Sequence, residues 1–232
     1  MHNNELKPVV LMLHGWGGSF ASTYGSTPLV KQLEAHGFNV LRIDLPGHGQ
    51  CGGSHNSQDY SDLASMVEPH LPTQAMLAVG FSLGAKVILE LAARNPARFS
   101  RIALGGLGDN AFAPEKFGKE VAVALELGVD AETSPMVSAL VDYSQASGSD
   151  PFALAAVLRR PQNPTLTCSK LNRIKCPMLL INGEEDKVAR PETDLLGTLE
   201  NAHLTVIPGV NHLNLTSNTV FVDAVANFLF DQ

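Results

Sequence analysis

Short apolar runs with little internal alternation recur along this chain, and longer stretches with helical spacing separate them. The runs are 9–13, 39–43, 75–79, 102–104, 178–181 and 203–207, rich in Val, Ile, Leu and Ala. A strand with one face in water alternates polar and apolar side chains. One that does not alternate must be covered on both faces, as in parallel sheets whose strands are joined by crossover helices. Helices are predicted between the runs at about 27–36, 58–70, 83–94, 191–199 and 219–230. Pro96 stops the third of them, because proline disfavours helical geometry in the residue before it. The predicted class is therefore α/β, a mostly parallel sheet of about six strands with helices on both faces.

One stretch breaks the pattern. Between 109 and 173 no convincing strand occurs, only short helical patterns near 115–127, 136–144 and 152–160, punctuated by Gly128, Gly148, Pro151, Pro161 and Pro164. It reads as a small helical insertion within one domain spanning 1–232, a length that favours a single core. Hydrophobic residues make up 44% and charged residues 17%, so a large core is expected and disorder is not. The net charge of −7, without any Lys/Arg run, argues against nucleic acid or an anionic membrane as the main partner. Cys51, Cys168 and Cys176 are an odd number at unrelated spacings, which suggests reduced thiols rather than a disulfide framework or a zinc site. The polar start offers no signal peptide, and no segment is long enough to span a bilayer, so a cytoplasmic, soluble protein is expected.

Gly80-Phe81-Ser82-Leu83-Gly84 follows a predicted strand directly and opens a predicted helix. A turn tight enough to raise Ser82 above the sheet brings neighbouring backbones close, which excludes side chains at positions 80 and 84. Ser82 is the candidate nucleophile. Of the eight histidines, His212 lies in the loop after the last predicted strand, at the strand ends where ligands bind in open parallel sheets. It is the candidate base. An imidazole that takes a serine proton needs a carboxylate on its other nitrogen. Asp186, after the preceding strand, fills that role in the order Ser…Asp…His, with Glu184, Glu185 and Asp109 as rivals. The N–H groups of Leu83 and of Trp16, in the Gly-rich turn His14-Gly15-Trp16-Gly17-Gly18, are the candidate oxyanion donors. His14 reads as structural. No cluster of His, Cys and acidic residues has metal-ligand spacing, so neither metal nor cofactor is expected.

Taken together, His14–Gly18, Asp44-Leu45-Pro46-Gly47-His48-Gly49, Gly80–Gly84, Asn182–Asp186 and Asn211-His212 resemble the α/β-hydrolase superfamily, in its branch with HGxxG, DxPGHG and GxSxG motifs. The resemblance runs from Pro8 to the C-terminus and is weakest in the insertion. It implies that Asp44 and His48 shape the loop beside the active site, and that the insertion is a lid lining the substrate pocket. Phe112, Phe117, Met136, Tyr143 and Phe152 become candidate substrate contacts on that basis. The family's usual N-terminal antiparallel hairpin is expected to be absent. Serine at the elbow excludes the dehalogenase and epoxide hydrolase chemistries, which need aspartate there. Acyl transfer remains, and the expected activity is cleavage of carboxylic esters of small or medium acyl chain through an acyl-enzyme. Carbon–carbon, lactone or thioester hydrolysis by the same residues stands as an alternative, as does a ligand-binding receptor on a hydrolase scaffold.

Overall fold

Residues 7–49, 52–161 and 166–231 are described by a computed structural model. The first six residues, Cys51 and Pro164 lie outside them. Six strands, β1 (Val9–Leu13), β2 (Asn39–Ile43), β3 (Met76–Phe81), β4 (Phe99–Gly105), β5 (Met178–Gly183) and β6 (Ala202–Ile207), pair in the order β2-β1-β3-β4-β5-β6. Every pairing is parallel. All the strands therefore end on one edge, and the loops that leave them there converge.

The sheet is covered on both faces, as the apolar runs require. Val9, Leu11 and Leu13 of β1 point into one core, while Val10 and Met12 point into the other. Tyr24 of α1 (Phe20–Tyr24), α2 (Leu29–Ala35) and α10 (Thr219–Phe230) fill the second core. Residues of α3 (Leu63–Val67) and α4 (Leu83–Arg94) fill the first. Leu11 and Met12 have no exposed surface, and each such side chain contributes roughly 1.5–3 kcal/mol.

β1, β2, α4 and α10 match their predicted limits. β3 and β4 run further than predicted, because Gly80 and Phe81 still have ladder partners in Leu104 and Gly105. The segment predicted as one helix over 58–70 is instead a 3₁₀ turn, the short α3 and a second 3₁₀ turn. Its interruption is chemical: the Asp62 carboxylate accepts from Ser65 N at 2.9 Å and starts a new helix there. α1 and the single-turn α8 (Cys168–Leu171) were not predicted.

Between β4 and β5 the chain forms α5 (Gly118–Leu127), α6 (Pro135–Ala146) and α7 (Pro151–Leu158). Ser134 and Asp150 cap the last two, and a proline occupies the first turn of each, where its missing N–H costs nothing. α9 (Thr193–Thr198) follows β5. Among the described residues no helix is long and apolar enough to cross a membrane.

Two buried histidines tie the loops after β1 and β2. Leu45 N donates to His14 Nε2 at 2.9 Å, and His14 Nδ1–H donates to Gly15 O at 2.8 Å. Both ring nitrogens are thereby committed to the neutral tautomer. His48 packs edge-on against His14 at 5.2 Å and donates from Nδ1 to Pro46 O at 3.0 Å. Burial pushes both below the ordinary histidine value, His48 to about 3 with His14 beside it adding to the fall. In the unfolded chain histidine titrates near pH ~6.5. Unfolding therefore takes up protons below that point, so stability is full above it and is lost as pH falls towards 3. Denaturant titrations should show stability dropping by about 2 kcal/mol on His48's account between roughly pH 6.5 and 5. His48→Gln should flatten that slope; a slope unchanged in the variant would assign the acid sensitivity elsewhere.

Candidate active site

The turn from β3 into α4 has no spare residue, and Ser82 absorbs the change of direction. Its backbone adopts φ 50°, ψ −112°, the one positive φ outside glycine among the described residues. Such a conformation costs about 1–3 kcal/mol and persists only where its surroundings over-determine it. Here Ser82 N donates to Gly105 O at 2.9 Å, and Ser82 O accepts from Lys86 N at 3.1 Å. The flanking glycines are dictated by proximity. A Cβ at position 84 would lie 2.4 Å from Leu13 O, and one at position 80 would lie 2.7 Å from Ala85 Cα. The β1 loop comes equally close, since a Cβ on Gly15 would stand 2.8 Å from the Phe81 ring and 3.3 Å from Ser82 Cβ.

Three side chains from three loops meet at this edge. His212 Nε2 is 3.1 Å from Ser82 Oγ, and His212 Nδ1 is 2.7 Å from Asp186 Oδ2. The other Asp186 oxygen accepts from Val188 N at 2.8 Å and Ala189 N at 2.9 Å. Burial alone would raise the Asp186 carboxyl. The hydrogen bond and charge of His212, with the two amides, outweigh it and hold the group below the usual carboxylate value. An ionised Asp186 accepts a hydrogen bond from Nδ1–H, which leaves Nε2 to accept from the Ser82 hydroxyl. The imidazole is buried, with the Phe81 ring 5.0 Å away.

The rivals have other work. Asp109 accepts from Asp194 N and Leu195 N, both at 2.9 Å, and caps α9. Glu184 accepts from Gly209 N at 3.2 Å, and Glu185 is exposed. His36 stacks on Phe230, and His55 pairs with Asp150 at the surface. Leu83 is the first residue of α4, where an N–H has no carbonyl partner within the helix. Trp16 lines the same space as Ser82, its indole N–H donating to Leu154 O of α7 at 3.2 Å.

Ser82 and His212 open into a mainly apolar cavity of about 50 Å³. Of the expected contacts, Phe117 and Tyr143 line it, as does Trp16. Met136 lies further out, on a wide groove that Phe117 and His212 share. Phe112 is instead packed against the core beneath the insertion, and Phe152 is turned outwards against His55. Neither lines either space. Val121, Leu140, Leu158, Val188 and Leu213 do line the inner cavity and were not foreseen. Val188 and Leu213 had a sequence signal, since they are near neighbours of Asp186 and His212. Among the described residues no group of three or more His, Cys, Asp or Glu side chains could hold a metal ion.

Comparison with known proteins agrees with this architecture. A pimeloyl-[acyl-carrier protein] methyl ester esterase of Chromobacterium violaceum is 30% identical, the match covering 97% of this chain and 95% of that protein. The corresponding enzyme of Nitrosospira multiformis is 26% identical over 90% of this chain and 89% of its own. A monoacylglycerol lipase of Mycolicibacterium smegmatis is 25% identical over 98% and 89%. Among solved structures, an enol-lactonase from Burkholderia xenovorans shares the fold with a TM-score of 0.78, at 22% identity, covering 97% of this chain and 92% of that one. The model of the alpha/beta hydrolase family matches residues 10–224, and this chain belongs to that family.

Proposed function

We propose that the protein is a serine hydrolase cleaving carboxylic esters of small or medium acyl chain through an acyl-enzyme. The observation that carries this reading is the continuous hydrogen-bonded line from Ser82 Oγ through the His212 ring to a buried, ionised Asp186. The esterase names of the relatives support it.

In the first half-reaction the Ser82 Oγ–H proton moves to His212 Nε2 while Oγ bonds to the ester carbon. The carbonyl electron pair moves onto its oxygen, which the N–H groups of Trp16 and Leu83 receive. Collapse of this intermediate breaks the bond to the alkoxy oxygen, and the Nε2 proton leaves with the alcohol. Water, deprotonated by the same nitrogen, then attacks the acyl-enzyme and releases acid and free Ser82. Asp186 keeps the imidazole in one tautomer and stabilises its cation without taking the proton. The modest apolar cavity beside Ser82 suits a short acyl group, and the wide groove that His212 also lines suits the departing alcohol.

Fluorophosphonate should label Ser82 rapidly, and Ser82→Ala should abolish both labelling and p-nitrophenyl ester hydrolysis, by about 10³-fold or more in kcat. Folded protein that resists the reagent would favour a binding role instead. Asp186→Asn should lower kcat by about 10³–10⁴-fold with little change in KM, since it spoils the tautomer rather than the pocket.

A further inference from the structure

The turn Gly15–Gly18 after β1 is held from two sides. On one side, a Cβ on Gly15 would meet the Phe81 ring and Ser82 Cβ. The other side belongs to the insertion. A Cβ on Gly17, whose φ is +77°, would stand 3.0 Å from Ser144 Cβ. One on Gly18 would stand 2.7 Å from the Tyr143 hydroxyl and 2.8 Å from Thr23 Oγ1. Tyr143 and Ser144 belong to α6, so side chains of the insertion rest directly on the backbone of this turn. Helix α7 adds a directional contact, the buried bond from the Trp16 indole N–H to Leu154 O at 3.2 Å.

The turn has little to fix it from within. One hydrogen bond closes it, from Gly18 N to Gly15 O at 3.2 Å, and three of its four residues are glycines, which adopt many backbone conformations. Trp16 is buried, yet among the described residues its backbone N–H has no hydrogen-bond partner. Buried N–H groups left so are rare, and this one belongs to a residue that lines the cavity of Ser82. An oxyanion donor acts only within about 2.7–3.1 Å of the oxygen it receives. A displacement of about 1 Å can cost about 10²-fold in rate. The precision such a donor needs must therefore come from outside the turn.

We propose that the inserted helices α6 and α7 hold the oxyanion-binding turn in place, with the Trp16 indole, Tyr143 and Ser144 as positioning residues. The insertion is then part of the catalytic assembly as well as a wall of the substrate cavity. The proposal rests on the reading that Trp16 N receives the oxyanion of an ester. Substrate is turned over only while α6 is seated on Gly17 and Gly18, and a movement that lifts the helix away disarms the site.

Trp16→Phe keeps a ring in the cavity and keeps the backbone N–H, but loses the bond to Leu154. Ser144→Val adds bulk where α6 meets the turn, at a residue outside the cavity lining. Each should lower kcat about tenfold or more while KM stays within about twofold. Tyr143→Phe should do less, because the hydroxyl's contact with Thr23 is long at 3.4 Å. A merely structural role would not move the ratio of kcat/KM for an ester to that for the matched thionoester, whose larger sulfur fits the donors poorly. That ratio should fall about tenfold in Trp16→Phe and Ser144→Val. Butylboronic acid gives a readout without turnover. Its boron accepts an electron pair from Ser82 Oγ as the hydroxyl proton moves to His212, and the tetrahedral adduct places an oxygen at the donors. Calorimetry should show its affinity about tenfold weaker in the same two variants. An unchanged ratio with unchanged boronate affinity in both would overturn the proposal, whatever happens to kcat, and either variant suffices if the other does not fold. Wild-type protein that binds no butylboronic acid would also overturn it. If wild-type protein hydrolyses no ester while the boronate losses persist, ester hydrolysis fails and the hold of the insertion on the turn stands.

Discussion

The close approach of α4 to the end of β1 sets the terms for everything else at this edge. Only when the first turn of that helix lies against the carbonyls of Leu13 and His14 can Ser82 follow β3 with no connecting residue. The strained backbone at Ser82 follows from this, as does the loss of a side chain at positions 80 and 84. The same edge also holds the loop of Gly15 close against Phe81 and Ser82. The strain is offset locally by the Gly105 and Lys86 hydrogen bonds and by burial of the α4 face. A few kcal/mol of backbone strain is a large share of a protein's net stability, so it survives only where the packing around it leaves no alternative.

The orientation of His212 is over-determined in a different way. Asp186 spends one oxygen on the imidazole and the other on two amides of its own loop, so its position does not depend on the histidine it holds. The Gly106 backbone lies under the ring, where a Cβ would come within 2.9 Å of His212 Cε1. Polar contacts hold one side of the imidazole, and backbone and Phe81 bound the other. A ring constrained on both sides has little rotamer freedom left to lose when a substrate arrives.

The sheet and the Ser82, His212 and Asp186 constellation were legible in sequence because each has a signal that tertiary context does not overrule. Unalternating apolar runs admit few interpretations, and a glycine-flanked serine between strand and helix admits fewer. Failures came where the signal was periodic but direction was decided elsewhere. Helix α7, Pro-Phe-Ala-Leu-Ala-Ala-Val-Leu, is apolar nearly all round, so spacing cannot say which way Phe152 points. Its place beside the Asp150 cap at the exposed start of the helix decides that. Phe112 falls in a 3₁₀ turn and is drawn into the core. The break in 58–70 depended on whether Asp62 pointed along the chain or back to Ser65, a choice of rotamer rather than of composition.

Burial of apolar surface holds the inserted helices on the sheet, yet it is non-directional and would tolerate many placements. Polar contacts select one. Glu115 stands just before α5, and its carboxylate pairs both with Arg160, just after α7, and with Lys86, four residues beyond Ser82. One carboxylate thus pins the entry and the exit of the insertion to the helix that carries the serine. The Trp16 indole bond to Leu154 and the contact of Thr23 Oγ1 with the Tyr143 hydroxyl at 3.4 Å add two more anchors. Buried ion pairs contribute little net stability once desolvation is counted, whereas a misplaced partner is costly. Their effect here is therefore on register. They set where the cavity wall stands relative to Ser82.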